Sequence, residues 1–148
     1  MAPKALHMSA AIRGKLKQAR LARLATLDAR HNPHIVPICF VFDGSVFYTA
    51  VDRKPKRVAA QKLARLRNLR ASSQVALVVD DYKEDWTRLW YILVRGTGRQ
   101  LPVSARQEHQ RAIRLLRNKY SQYAGGMLPD DAPVIRVTPQ RIVSWGKI

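Results

Sequence analysis

Arg53, Lys54, Lys56 and Arg57 crowd around Pro55, where a strand-like run gives way to a helical one. The N-terminus of a helix offers unpaired backbone N–H groups and the positive end of its dipole, so cations placed there make an anion site suited to phosphate. A solvated basic helix face would use the same residues, but their place at the exit of a hairpin favours the anion. Asp85, Trp86, Arg88 and Trp90 form a charged and aromatic cluster that either pins a loop to the core or stacks on a ligand. Cys39 lies inside an apolar run, where a thiol behaves as a small hydrophobe. His7, His31, His34 and His109 have no metal-ligand spacing, and with a single cysteine there is neither an internal disulfide nor a thiolate cluster, so no metal site is expected. Ser72 and Ser73 sit outside any GxSxG elbow, and no GxGxxG or GxxxxGK[ST] is present. Nothing reads as an acid, a base and a nucleophile together. An enzyme built on this chain leaves the reaction to a bound cofactor and supplies binding, orientation and electrostatics.

The charge balance points the same way. Twenty-seven Lys and Arg against ten Asp and Glu give +17 over 148 residues, a field that draws in polyanions. Residues 13–23 and 53–70 are basic without an acid, while Asp80, Asp81, Glu84 and Asp85 make the main acidic cluster. A phosphorylated small molecule is the expected partner. The alternative from another class is a nucleic-acid-binding basic module, although Tyr48, Trp86, Trp90 and Trp145 lack an RNP-like stacking pattern. The 47% hydrophobic content fills one core, and apolar runs such as residues 75–79 are far too short for membrane insertion. No signal-peptide pattern opens the chain, so a cytoplasmic protein is expected.

The elements that must position these residues follow from periodicity. Ser9 is an N-cap for a basic helix with Ile12, Leu16 and Ala19 inward and Arg13, Lys17 and Arg20 toward water. Residues 22–26 and 34–42 read as strands separated by turn chemistry at 28–33. Asp43, Gly44 and Ser45 then join the second of these to residues 46–51 as a hairpin. Pro55 opens a helix to about Arg70 with Ala59, Leu63 and Leu66 inward, Ser72 and Ser73 end it, and strands follow over 74–79 and about 89–99. Ser104 with Gln107 predicts a capping box for a helix to about Tyr120. Two short strands, 134–137 and 141–145, close the chain around Thr138, Pro139 and Gln140. Hairpins rather than repeated βαβ units predict a mainly β fold, an antiparallel, Greek-key-like split β-barrel with peripheral helices, as a single domain over 1–148 with residues 1–20 packing on it as a basic N-terminal helix.

Ala25-Thr26-Leu27, Asn32-Pro33-His34-Ile35-Val36-Pro37, Val46-Phe47-Tyr48-Thr49-Ala50, Lys54-Pro55-Lys56-Arg57 and Asn68-Leu69 follow in an order that resembles the pyridoxamine 5'-phosphate oxidase-like (flavin-binding split barrel) superfamily. The run Asp80-Asp81-Tyr82-Lys83-Glu84-Asp85-Trp86-Thr87-Arg88-Leu89-Trp90 is similar to its branch of deazaflavin (coenzyme F-420)-dependent enzymes, and the residues from Ile135 to Trp145 resemble its closing hairpin. The resemblance covers about residues 20–146. It implies a homodimer with cofactors in grooves between subunits. By position, Val36, Pro37, Ile38 and Cys39 would line the ring, Tyr48 and Thr49 would lie beside it, Lys54, Lys56 and Arg57 would take the phosphate, and Trp86 and Trp145 would wall the site. His34 and Cys39 stand where pyridoxamine phosphate oxidases carry Arg and Lys, and the Arg-x-His substrate signature is missing, which argues against that reaction. The implied activity is hydride transfer from reduced deazaflavin to a small conjugated substrate. The alternative is an FMN-binding oxidase or flavin reductase of the same fold.

Overall fold

Burial alternates residue by residue along four of the seven strands among the described residues, and all seven pair antiparallel. The computed structural model describes residues 6–53 and 59–148, and the side chains within them except those of residues 59–63. Helix α1 (Ala10–Gln18) starts where Ser9 accepts from the Ile12 N–H at 3.2 Å, and it buries Leu16 completely. Strands β1 (Ala22–Leu27), β2 (Pro33–Ile38), β3 (Val41–Phe42) and β4 (Phe47–Ala50) follow, then α2 (Ala59–Ala71), β5 (Gln74–Asp81), β6 (Trp90–Gln100), α3 (Arg106–Lys119) and β7 (Val134–Gly146). A 3-10 turn (Trp86–Arg88) precedes β6, and a π-helical turn (Tyr123–Met127) precedes β7.

The seven strands form one antiparallel sheet in the order β2-β1-β5-β6-β7-β4-β3. Its two edges, β2 and β3, are separated in sequence by Cys39 and Phe40 alone, so the sheet curls until its edges lie next to each other. The result is the split barrel that the pattern predicted. Leu24, Phe40, Phe47, Leu77, Ile92, Val94 and Ile135 fill its interior, with α2 against it through Leu66 and Leu69. A second apolar cluster forms between the other face of β4 and α3, from Tyr48, Ala112, Ile113, Leu116, Leu128 and Val134. No helix among the described residues is long and apolar enough to cross a membrane.

Four local expectations are corrected. The run 34–42 is two strands, because the chain crosses between sheet edges at Cys39 and Phe40. The closing segment is one 13-residue strand with a bulge: Arg95 faces Arg141 and Gly96 faces Pro139, which leaves Gln140 extra and lets the proline sit in the ladder. Ser104 does not cap α3. The Ala105 N–H bonds back to the Pro102 carbonyl at 2.9 Å, so Ser104 is spent in a turn and the helix begins at Arg106 with no side-chain cap. Arg13 and Arg20 do not simply face water, for they donate to the Gly44 and Lys119 carbonyls, both at 2.7 Å. The Asp43 hairpin forms as expected, its carboxylate accepting from the N–H groups of Ser45 and Val46 at 2.8 and 2.9 Å.

The bulge depends on Gly96, since a Cβ there would run into the Thr138 carbonyl of the facing strand, whereas a Cβ on Gly125 would meet nothing. Gly96→Ala is expected to cost about 3 kcal/mol in urea unfolding and Gly125→Ala within about 0.5 kcal/mol of nothing. Equal effects would show that the bulge opens freely.

Candidate functional site

The crossing at Cys39 and Phe40 has left the ladder, so its backbone groups need other partners. Thr49 Oγ1 donates to the Cys39 carbonyl at 2.7 Å. Tyr120 Oη accepts from the Phe40 N–H at 3.0 Å and lies 2.8 Å from the Arg20 carbonyl, to which it donates. Lys119 Nζ donates to the Ala19 carbonyl and, at 2.9 Å, to that of Phe40, while sitting 4.1 Å from the centroid of the Phe40 ring. The C-terminal end of α3 thus clamps the corner at which β2 becomes β3. Burial, with Arg20 adding repulsion, brings Lys119 down to about 8, and burial pushes the Tyr120 hydroxyl up to about 12.

Beside Cys39 the clamp leaves a hollow of about 320 Å³, walled by Tyr120, Tyr123 and Met127 with Arg20 at its edge. The π-helical turn supplies this wall, and Gly126 at φ 104° permits it. Tyr123 Oη donates to Asp52 Oδ2 at 2.5 Å, and the Arg53 N–H donates to the Met127 carbonyl at 2.9 Å, so the turn also holds the end of β4. Burial and then the Asp52 carboxylate push the Tyr123 hydroxyl far up. Both phenols remain protonated donors at neutral pH.

Arg65, on α2, is only 6% exposed, and its Nε is buried with no hydrogen-bond partner among the described residues. Burial pulls its guanidinium below the ordinary arginine value, and the Asp52 charge offsets part of that. Asn68, one turn on, is buried too and donates to Thr26 Oγ1 at 3.0 Å, which fixes α2 on β1. A buried cation with an unused donor is the feature an anionic ligand would satisfy.

The predicted lining is split by strand alternation. Val36 and Ile38 point toward the core, whereas Pro37 is exposed and Cys39 borders the hollow. Thr49 braces the Cys39 carbonyl, but Tyr48 faces the opposite way, against α3, where its hydroxyl donates to Glu108 at 3.0 Å. Burial and that carboxylate push Tyr48 up to about 12. Burial raises Glu108, yet the hydrogen bonds from Arg136 and Tyr48 outweigh it and hold the carboxyl low. Trp86 is 71% exposed on the 3-10 turn. Trp145, on β7, stacks on Tyr91 with centroids 5.9 Å apart. Pro37, Arg23, Val78, Leu93 and Val143 share one row across five strands, so two residues on Cys39 and Trp145 mark the same end of the sheet. Lys54, Lys56 and Arg57 lie outside the described residues. Sequence reasoning missed Asp52, Arg65, Lys119 and Tyr123. Arg65 and Asn68 had a signal, since they share the buried helical face of Leu66 and Leu69.

The pattern of pyridoxamine 5'-phosphate oxidase matches residues 8–146. The chain belongs to that family. A relative from Streptomyces rimosus, a 5a,11a-dehydrotetracycline/5a,11a-dehydrooxytetracycline reductase, is 29% identical over 135 residues, covering 88% of this chain and 78% of that one. Among solved structures, an FAD-binding protein from Mycobacterium smegmatis is similar at 25% identity and TM-score 0.56, covering 93% of this chain and 94% of that one. Another, from Mesorhizobium loti, has 19% identity and TM-score 0.67 over 93% and 94%. Family and relative agree on redox chemistry, and this member of the family is an oxidoreductase.

The clamp gives a pH dependence. Lys119 holds its proton less tightly when folded, at about 8 against 10.5 for an unperturbed lysine, so the unfolded chain binds more protons in that window and stability rises with pH across it. Urea unfolding between pH 8 and 10 is expected to show wild type gaining on Lys119→Met as pH rises; parallel profiles would mean that Lys119 is solvated.

Proposed function

We propose that this chain binds reduced deazaflavin (coenzyme F-420) as a homodimer and transfers a hydride from it to a small conjugated substrate. The observation that carries the cofactor half is the buried Arg65 with its unused Nε, set beside Asp52 at the exit of β4. It is a permanent cation held out of water, which suits a phosphate. Lys54, Lys56 and Arg57 follow Asp52 in sequence and would add to it. The hollow at Cys39 adjoins the same exit through Met127 and Tyr123, so ring and phosphate ends would lie on two sides of one anchored turn. The net +17 suits an acidic tail on the cofactor better than a lone phosphate. For the substrate half, the Streptomyces rimosus relative is by its name a reductase of dehydro compounds, so a conjugated acceptor is the class to try first.

When bound, the cofactor supplies the hydride. The chain's own residues hold and orient. Thr49, Lys119 and Tyr120 fix the Cys39 corner against which a ring would lie. The Asp52–Tyr123 bond fixes the start of the basic segment. Tyr120 and Tyr123 stay protonated beside the hollow, their protons taken by the Arg20 carbonyl and by Asp52, and their rings wall it. A second reading, the same site filled by FMN, is favoured by the similarity to FAD-binding proteins.

Titration of the purified protein with deazaflavin and with FMN separates the two: tighter deazaflavin binding is expected, and equal or reversed affinity would move the assignment to FMN. Arg65→Gln is expected to weaken deazaflavin at least about tenfold, the worth of one charge-assisted hydrogen bond, and Lys54→Ala with Lys56→Ala and Arg57→Ala together should do the same. Unchanged binding in both would place the phosphate elsewhere. Turnover is checked with 5a,11a-dehydrooxytetracycline and reduced deazaflavin, followed by cofactor absorbance.

A further inference from the structure

A groove of about 860 Å³ runs along α3 and shares no lining residue with the hollow at Cys39. Its floor is apolar, from the buried Leu101, Ala132 and Val134, and Val103, 91% exposed, stands at its lip beside Pro102. Two pins fix its shape. His109 Nε2 donates to the Ala132 carbonyl at 2.7 Å, and Arg117 donates to the Leu128 carbonyl and to Asp130, both at 2.7 Å. A groove held open by its own side chains takes a ligand with little ordering cost. Arg106, Gln110 and Arg114 stand four residues apart on α3 and form one exposed ridge along it. Among the described residues, neither arginine forms an ion pair. Glu108, the acid of the first turn, is turned away to Tyr48 and Arg136, and no side chain caps the helix, so Arg106 adds to the positive end of the dipole instead of being balanced there. A merely solvated helix face gains by interleaving acids four residues from its arginines, and this ridge has none.

We propose that this groove docks an extended acidic segment of a partner protein, with carboxylates four residues apart on Arg106 and Arg114 and an amide between them on Gln110. The two backbones set the spacing. Ridge residues on a helix recur every four residues, about 6 Å along its axis, and side chains on one edge of an extended chain recur every second residue, about 7 Å. Three successive positions therefore stay in step. The intervening side chains of the segment point the other way, over Pro102 and Val103, where small apolar residues bury the exposed lip. Each guanidinium can give a carboxylate two parallel N–H bonds. Asp131, exposed on the opposite side of the groove, decides between polyanions. It repels a nucleic-acid strand, in which every unit carries a phosphate, whereas a peptide can leave that position uncharged or basic. The net +17 speeds the encounter, and the ridge gives it its register.

The test uses the full chain and a rhodamine-labelled, end-capped peptide, Thr-Glu-Val-Gln-Val-Glu-Thr, followed by fluorescence anisotropy at about 0.15 M salt. It is expected to bind at least about tenfold more tightly than the same peptide with both glutamates replaced by glutamine, and as much more tightly than Thr-Val-Gln-Glu-Glu-Val-Thr, which has the same composition and the wrong spacing. Gln110→Glu, which sets a carboxylate between the arginines, and the double variant Arg106→Gln with Arg114→Gln are each expected to weaken binding at least about tenfold. Arg30→Gln, which lowers the net charge as much as Gln110→Glu does but from an exposed turn, is expected to leave it unchanged. Absence of binding, equal binding of the two glutamate peptides, or an equal loss with Arg30→Gln overturns the site. A single-stranded oligonucleotide that displaces the peptide and depends on the same two arginines gives the groove to nucleic acid. Deazaflavin that loses affinity in the double variant gives it to the cofactor's own tail. Either result overturns the partner segment, and neither bears on the hollow at Cys39.

Discussion

The chain has to step from one edge of a seven-stranded sheet to the other in two residues, and most of the structure around the site exists to make that step stable. Cys39 and Phe40 leave one ladder before joining the next, in a place where Phe40 is fully buried and water cannot take over the hydrogen bonds. Their partners come from three residues distant in sequence: Thr49 on β4, Lys119 at the end of α3 and Tyr120 just beyond it. Because one lysine also reaches Ala19, and Tyr120 reaches Arg20, the same clamp ties the α1–β1 junction to the corner. The π-helical turn follows the clamp directly, so the hollow beside Cys39 is a consequence of barrel closure rather than a separate construction.

The large positive charge divides into cations with structural duties and cations without. Arg13, Arg20, Arg117 and Lys119 satisfy carbonyl oxygens, and Arg23, Arg111 and Arg136 hold carboxylates. Exposed pairs such as Arg23 with Asp80 contribute about 1 kcal/mol or less. Arg65 is different in kind. It is buried in a helix packed on the barrel, its Nε has no acceptor among the described residues, and Asp52 compensates only part of its desolvation. Such a residue costs stability in the isolated chain, which makes sense where a bound anion restores the balance.

Much of this is legible in the sequence. Alternation and turn chemistry gave the Asp43 hairpin, β1 and β5, and helical spacing gave α1 and α3, because those signals are local. The break at Cys39 and Phe40 was not legible, since the residues stay apolar through the corner and only the closure of the sheet interrupts the strand. Pro139 suggested two strands where one bulged strand exists; the compensating feature, Gly96 on the facing strand, lies far off in sequence. Of the site, periodicity could have flagged Arg65 beside Asn68 and Leu69. Lys119 and Tyr123 had no such signal, for a lysine at a helix end and a tyrosine in a loop are ordinary until the chain folds them onto Phe40 and Asp52.

Strand alternation also constrains how a ring can be held. Four successive residues cannot all present side chains to it, and here Pro37 and Cys39 face out while Val36 and Ile38 are committed to the core. The outward pair leads along the row structure to Tyr91 and Trp145 and, through Cys39, to the protonated tyrosines of the hollow. Aromatic walls and a buried cation can bind and orient a charged planar group, but neither exchanges a proton near neutrality as a catalytic acid and base would, and the two phenols have their protons committed to the Arg20 carbonyl and to Asp52. On the reading proposed above, an oxidoreductase with this equipment imports its reactive atom, and the fold would hold it at the corner where the chain crosses between sheet edges.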